Sequence, residues 1–176
     1  MLAAIKRTVP YMRFKEWTKT VQRLAKLRSY RGTQYCCPIC HTDLRAFKAR
    51  GGKLLMWHGL SDASITATSS IEYYQGVEKA MGGRAQTQDF FRLFLLPGLH
   101  HCAGGPGFTQ FDALTLLENW VEKGQAPDVM IATQLADGAP ARTRPIYPYP
   151  VLARYSGQGD PTHASSFVPH DPTRKR

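Results

Sequence analysis

Residues 53–107 decide the fold, because they contain KLLMWHGLSDAS (residues 53–64) and FFRLFLLPGLHHCAGGPG (residues 90–107), separated by a helical pattern. Each of the two stretches carries a continuous apolar run, which is typical of a strand buried on both faces of a parallel sheet. The first run is followed by Asp62 and the second by His101. The sequence therefore predicts an α/β fold with an acid and a histidine at the same end of two parallel strands.

The remaining elements follow from apolar spacing. We expect strands at residues 53–58 and 90–96, a helix between them that ends at the glycines 82 and 83, and a second helix at 110–123. The inward faces of the two helices are predicted to be Ile71, Tyr74, Val77 and Ala80 in the first, and Phe111, Leu114, Leu117, Trp120 and Val121 in the second. A short β-prone run follows at 129–133, and the residues from 142 onward, rich in proline and tyrosine, are expected to wrap the surface as an extended tail.

The positive charge is concentrated at the N-terminal end. The formal net charge is +10, and residues 1–50 carry twelve Lys and Arg against two acids, whereas the rest of the chain carries eleven of each. Residues 11–31 have the spacing of a basic amphipathic helix, which is either a solvated helix docked by its apolar stripe or a membrane-surface or nucleic-acid helix. Because the excess charge stops near residue 50, it does not indicate a nucleic-acid partner for the remainder.

No apolar run reaches the length of a transmembrane helix, so no membrane partner is expected, and the N-terminus lacks the apolar core of a secretory signal. The cellular location is left open.

The cysteines suggest a weak metal motif. Cys37 and Cys40 have the C-x-x-C spacing that presents two thiolates to one metal ion, but a structural zinc site needs four ligands and no second pair follows. With His41 the pattern also matches a c-type haem attachment sequence. Unmetallated thiols, a metal site and a haem site are the three alternatives for this segment.

Four blocks of sequence carry a family resemblance. In chain order they are ARGGKLLMWHGLSDA, FRLFLLPGLHHCAGGPG, FDALTLLENWVEKGQAPD and RTRPIYPYPVLARYSGQGD. Together, over residues of about 42–168, they resemble the C-terminal part of the tannase/feruloyl esterase family. That family is similar to α/β-hydrolases and uses a serine triad to hydrolyse esters of hydroxycinnamic, gallic or related aromatic acids, and many members are secreted. The resemblance implies the last strands and helices of an α/β-hydrolase fold, incomplete and preceded by a basic helix, with an aromatic-acid ester as substrate.

The resemblance also implies roles for three residues. Asp62 matches the triad acid and His101 the triad base, in the Asp-then-His order that α/β-hydrolases use after their serine. Cys102 matches a cysteine that, in the family, forms a disulfide with the cysteine beside the nucleophilic serine. Taken without the resemblance, Asp62 could cap the following helix, and a histidine at this turn could be an exposed loop residue.

The sequence departs from the family pattern in three ways. None of its serines lies in a G-x-S-x-G setting, the helical lid that can carry calcium in the family has no counterpart before Asp62, and Tyr147 replaces a cysteine of the last block. We therefore expect residues 1–41 to be an unrelated segment joined to a truncated hydrolase domain at 42–176, with no cofactor of its own. The chain alone is predicted to be inactive, and complementation by a separately encoded N-terminal half is a further possibility.

A non-enzymatic function is the alternative hypothesis. In it, the basic helix and the Cys37–Cys40 motif form a small module that binds a metal, a nucleic acid or a partner surface. Its discriminating observation would be zinc bound at about one ion per chain and lost when Cys37 is replaced by serine.

Overall fold

The structure, a computed structural model, describes residues 2–3 and 41–174. In chain order its elements are β1 (Leu2–Ala3), α1 (Arg45–Ala49), β2 (Leu54–Gly59), α2 (Ala67–Ala80), α3 (Arg84–Gln88), β3 (Phe91–Leu96), α4 (Ala113–Lys123), β4 (Met130–Ala136), β5 (Ala139–Ile146), β6 (Leu152–Tyr155), a 3-10 turn (Ala164–Ser166) and β7 (Phe167–His170). The predicted basic helix at 11–31 and the Cys37–Cys40 motif lie outside these described residues.

The central sheet has three strands in the order β1–β2–β3. Strands β2 and β3 are parallel, and their register runs from Leu54 opposite Phe91 to Gly59 opposite Leu96. The two-residue β1 pairs antiparallel with the other edge of β2. The predicted parallel strand pair is confirmed, with each strand beginning one residue later than expected.

Side-chain alternation divides the central sheet into two buried faces. One face carries Leu54, Met56, Phe91 and Leu93, which pack with Tyr74 and Val77 of α2. The opposite face carries Leu55, Phe94 and Leu96, which pack with Leu117 and Trp120 of α4. The result is helix, sheet and helix in three layers, because a strand pair with two apolar faces needs a cover on both sides.

Two residues predicted to face inward do not. Ala80, at the end of α2, and Leu114, which is 50% exposed in α4, lie on the solvent side. In α4 the buried residues are Ala113, Leu117 and Trp120. Their spacing of four and three residues defines the inward stripe, and Leu114 lies to one side of it.

The predicted extended tail is wrong. Residues 130–146 form the antiparallel hairpin β4–β5, and β6 pairs antiparallel with β7. Ile146 and Phe167 are buried in this part of the molecule. The segment between the hairpins also joins the central sheet, since the backbone N–H of Tyr149 donates to the carbonyl of Leu93 at 2.8 Å. The prolines of β5 do not favour a strand in the sequence, but they are tolerated here because β5 is an edge strand that pairs only with β4.

No helix in the described part of the chain is both long enough and apolar enough to cross a bilayer.

Candidate active site

The parallel register of β2 and β3 brings Asp62 and His101 together. The paired residues Gly59 and Leu96 end the two strands, and both loops leave the sheet at this edge. His101 Nδ1 lies 2.8 Å from Asp62 Oδ2, a hydrogen bond between residues 39 positions apart in sequence. The structure thus joins the two residues to which the family resemblance assigns the acid and the base.

The carboxylate of Asp62 is held by its own loop. Its Oδ1 atom accepts hydrogen bonds from the backbone N–H groups of Ser64 at 2.8 Å and Ile65 at 2.9 Å, and its side chain is 5% exposed. The pKa of Asp62 lies well below its usual range, chiefly because of the Ile65 N–H, helped by His101 and Ser64 and opposed by burial. Asp62 therefore stays ionised at any pH above the ordinary carboxyl value of about 3.9.

The helix-capping alternative for Asp62 is corrected by these contacts. The N-cap of α2 is Thr66, whose side chain accepts from the backbone N–H of Thr68. Asp62 instead closes the turn before the helix with one oxygen and leaves the other for His101. Both functions are possible at once because an ionised carboxylate has two oxygens with separate lone pairs.

The loop that carries His101 is compact because glycines let its backbone segments touch. A Cβ atom on Gly59 would lie 2.2 Å from the carbonyl oxygen of Leu99, and one on Gly98 would lie 2.5 Å from the Cα of Gly107. Gly98 also has a positive φ of 73°. Because these contacts leave no space for side chains, the end of β2 is locked against the loop that carries His101.

His58 is a residue of this site to which the sequence analysis assigned no role. Its side chain is 8% exposed, and its ring nitrogens contact Ser70 Oγ at 2.7 Å and the carbonyl of Ile65 at 2.9 Å. Its Nε2 atom also lies 3.3 Å from Asp62 Oδ2. The spacing of His58 and Asp62, four residues apart at a strand end, was the available signal.

A cavity of about 190 Å³ opens beside the pair. Its lining residues are Trp57, His58, Gly59, Asp62, Ile65, Leu99, His100, His101 and Cys102. The side chain of His101 is 47% exposed, and no hydrogen bond engages its Nε2 atom among the described residues. The histidine can therefore keep one nitrogen on Asp62 and present the other to a reacting group.

Three further side chains near the two strands have distinct surroundings. Cys102 is exposed and not in a disulfide with any described residue, and it has a positive φ of 64° beside His101. Arg92 of β3 forms an ion pair with Asp128, and Trp57 packs edge-on against Phe111 with 5.6 Å between ring centroids.

Among residues 41–174, no group of three or more His, Cys, Asp or Glu side chains is placed to hold a metal ion. The Cys37–Cys40 metal motif lies outside the residues that the structure describes, so it stays a prediction, as does the lid calcium implied by the resemblance.

Comparison with known proteins relates this chain to a family. The family model for tannase and feruloyl esterase matches residues 12–169. That match begins inside the segment 1–41 that the sequence assigns as unrelated, and the boundary between the two predicted domains stays a prediction.

Individual proteins are similar to between 71% and 76% of this chain. A mono(2-hydroxyethyl) terephthalate hydrolase of Piscinibacter sakaiensis is 50% identical over 130 residues, which are 72% of this chain and 21% of the relative. A probable feruloyl esterase of Arthroderma benhamiae is 46% identical over 129 residues, 71% of this chain and 24% of the relative. The crystal structure of feruloyl esterase B from Aspergillus oryzae superposes with a TM-score of 0.72 at 29% identity, over 76% of this chain and 29% of that one.

The chain thus spans about a fifth to a quarter of the length of the curated relatives described above. Its helices and strands form part of the α/β-hydrolase fold seen in the solved structures. With the family model matching most of the chain and half of the aligned residues identical in one relative, this chain belongs to the tannase and feruloyl esterase family.

Proposed function

We propose that this chain supplies the acid and the base of a serine carboxylic-ester hydrolase that acts on esters of aromatic acids. The observation that supports the proposal is the 2.8 Å hydrogen bond between His101 Nδ1 and the buried carboxylate of Asp62, beside an open cavity. A carboxylate with a lowered pKa is the partner that a catalytic imidazole needs, because it stabilises the imidazolium formed during the reaction.

The proposed chemistry has two halves. His101 Nε2 accepts the proton of a serine hydroxyl as the serine oxygen attacks the ester carbonyl, and then gives that proton to the leaving alcohol. In the second half, water takes the place of the serine as attacking group and loses its proton to His101. The acyl–serine bond then breaks as His101 gives that proton to the serine oxygen, which releases the acid and restores the neutral imidazole. Asp62 stays ionised throughout and keeps the proton of the neutral imidazole on Nδ1.

The nucleophilic serine is proposed to come from a segment outside these 176 residues. No serine among residues 41–174 forms a hydrogen bond with His101, and none in the sequence has a G-x-S-x-G setting. The exposed thiol of Cys102, next to His101, is the proposed partner for a cysteine beside that serine, by the family resemblance. The chain alone is then expected to lack hydrolytic activity.

The aromatic-acid substrate rests on the relatives. Two of them are named for hydrolysis of a terephthalate monoester and of feruloyl esters, both esters of aromatic carboxylic acids. The aromatic side chain of Trp57 in the cavity wall is compatible with such an acyl group.

Complementation tests the proposal. The chain is co-expressed with the part of the Arthroderma relative that it does not match, and hydrolysis of a feruloyl ester is compared for the wild type, His101→Ala and Asp62→Asn. We expect activity only in the mixture, and a loss of about 10²- to 10⁴-fold for His101→Ala, the usual contribution of general acid–base catalysis. A fluorophosphonate probe should label the mixture and leave the chain alone unlabelled.

The matched control is the exposed pair of His163 and Asp160, whose side chains lie 3.6 Å apart at the surface. His163→Ala removes the same residue type without touching the cavity and should keep full activity. Unchanged hydrolysis by His101→Ala would refute the assignment of the base, and stoichiometric probe labelling of a serine in the isolated chain would refute the external nucleophile.

A further inference from the structure

We infer that His58 is a positioning residue that holds Asp62 in the orientation in which it binds His101. The inference rests on the proposed function of Asp62 and His101. It concerns a second histidine that neither the family resemblance nor the comparisons assign to the reaction.

His58 lies beside the carboxylate of Asp62. Asp62 Oδ1 is occupied by the backbone N–H groups of Ser64 and Ile65. Asp62 Oδ2 faces two imidazoles, with His101 Nδ1 at 2.8 Å and His58 Nε2 at 3.3 Å. Both oxygens of the carboxylate therefore have donors that fix its rotation about the terminal bond.

The contacts of His58 define its neutral tautomer. Its Nε2 atom lies 2.9 Å from the Ile65 carbonyl, which can only accept a hydrogen bond, so Nε2 carries the proton. Its Nδ1 atom then accepts from the hydroxyl of Ser70, 2.7 Å away in α2. The Nε2 proton points into the Asp62 turn, where it is donated to the Ile65 carbonyl, and Asp62 Oδ2 lies 3.3 Å from the same nitrogen.

Ile65 links His58 to Asp62 through its two backbone groups. It binds the carbonyl of Ile65, while the N–H of the same residue binds Asp62 Oδ1. The hydrogen bond with Ser70 connects the ring to α2, and His58 itself lies in β2. A leucine would fill the same buried volume but would leave the Ile65 carbonyl without its donor and remove the imidazole beside Asp62 Oδ2.

The test measures which ring nitrogen of His101 carries the proton in the 176-residue chain itself. Nitrogen NMR of the imidazole side chains distinguishes the two neutral tautomers, and we expect wild-type His101 to be protonated on Nδ1. In His58→Leu the His101 ring should become a mixture of tautomers. His58→Gln should restore the wild-type signal, because its amide N–H₂ group can replace the Nε2 donor.

Thr87→Val is the matched control, since Thr87 is a fully buried polar residue whose hydroxyl binds the Gly83 carbonyl away from the cavity. Its loss should leave the His101 signal unchanged, which separates positioning from general destabilisation. If His58→Leu does not fold, Ser70→Ala replaces it, because the proton of His58 is then free to move to Nδ1 and the Asp62 turn loses its donor.

An unchanged His101 tautomer in the folded variant, His58→Leu or Ser70→Ala, overturns the inference. In the complemented esterase, His58→Leu should lower kcat by about 10-fold, the upper range for one hydrogen bond between neutral groups, with little change in KM. If His58→Leu leaves kcat unchanged while His101→Ala is inactive, only this inference fails. If His101→Ala is active, the proposed function fails.

Discussion

Strands β2 and β3 and the C-terminal hairpins are both made of β-structure, yet they differ in how they are stabilised. In β2 every residue except Trp57 is buried, whereas in β6 none is. The parallel pair is covered by α2 on one face and α4 on the other, and the hairpins expose Ile131, Leu152 and Val168.

The difference shows where stability and where function reside. Strands buried on two faces place apolar side chains in the core on both sides, and apolar burial is the main favourable term in folding. The loops that leave β2 and β3 carry Asp62 and His101, so the candidate site stands on these buried strands. The β4–β5 hairpin reaches the same core on one face only, through Met130, Ala132 and Ile146. Four variants, from the largest expected effect to the smallest, test this contrast.

Truncating the parallel pair should have the largest effect. Phe94→Ala removes a fully buried ring from β3 and should lower the free energy of unfolding by about 3–5 kcal/mol. Val168→Ala, at an exposed position of β7, should change it by less than about 0.5 kcal/mol. Urea unfolding followed by circular dichroism measures both. Equal losses of unfolding free energy in the two variants would contradict the proposed difference between the parallel pair and the hairpins.

A glycine at the end of β2 should be more sensitive than one in a hairpin turn. Gly59→Ala forces a Cβ against the Leu99 carbonyl and should cost about 1–3 kcal/mol as an overpacked site does. Gly138→Ala, in the β4–β5 turn with φ of 78° and no neighbour within 4 Å, should cost only about 1–2 kcal/mol, the strain of a left-handed residue.

The two glycine variants also differ in a second readout. Gly59→Ala should shift the NMR signals of His101, and Gly138→Ala should not. A Gly59→Ala protein with unchanged stability and unchanged His101 signals would show that the strand end and the His101 loop are not locked together.

Within the hairpins, Arg144 should contribute a smaller amount. Its guanidinium lies 3.6 Å from the centre of the Phe167 ring, and burial lowers the pKa of Arg144. Arg144→Ala should cost about 1 kcal/mol, the size of a partly desolvated cation–π contact. Arg142→Ala, exposed on the same strand, is the control and should be neutral in the same urea experiment.

The smallest effect is expected from an acid in the hairpin region. Hydrogen bonds from the Thr162 hydroxyl and backbone N–H hold the pKa of Asp160 below its ordinary value. The folded-state pKa is the lower one, so the stabilisation is present above the unfolded carboxyl value of about 3.9 and is lost as pH falls below it.

Asp160→Asn should therefore make the loss of stability below that pH slightly shallower and lower the stability at neutral pH by a small amount, because the contribution of the ionised carboxylate is removed. Unfolding by urea at a series of pH values between neutral and acid measures this. A steeper acid loss in Asp160→Asn than in the wild type would contradict the sign.

Sequence reasoning succeeded where burial leaves a local pattern. The apolar runs at 53–58 and 90–96 predicted both strands of the parallel pair, and the stripe ending in Leu117 and Trp120 predicted α4. It failed for the tail after residue 142, because strands with one exposed face, short length and several prolines lack both the apolar run and the alternation that identify a strand. The prediction that Leu114 faces inward was wrong for a related reason, because the spacing of apolar residues does not show which edge of an apolar stripe is covered.

The sequence by itself determined the family, the two parallel strands and the identity of the acid and the histidine, because these depend on residue type and short-range spacing. Only the tertiary structure decided that Asp62 and His101 touch, since a contact across 39 positions depends on the register of two paired strands. It alone also brought His58 onto the same carboxylate, because the direction of a side chain at a strand end is set by the helix packed against it.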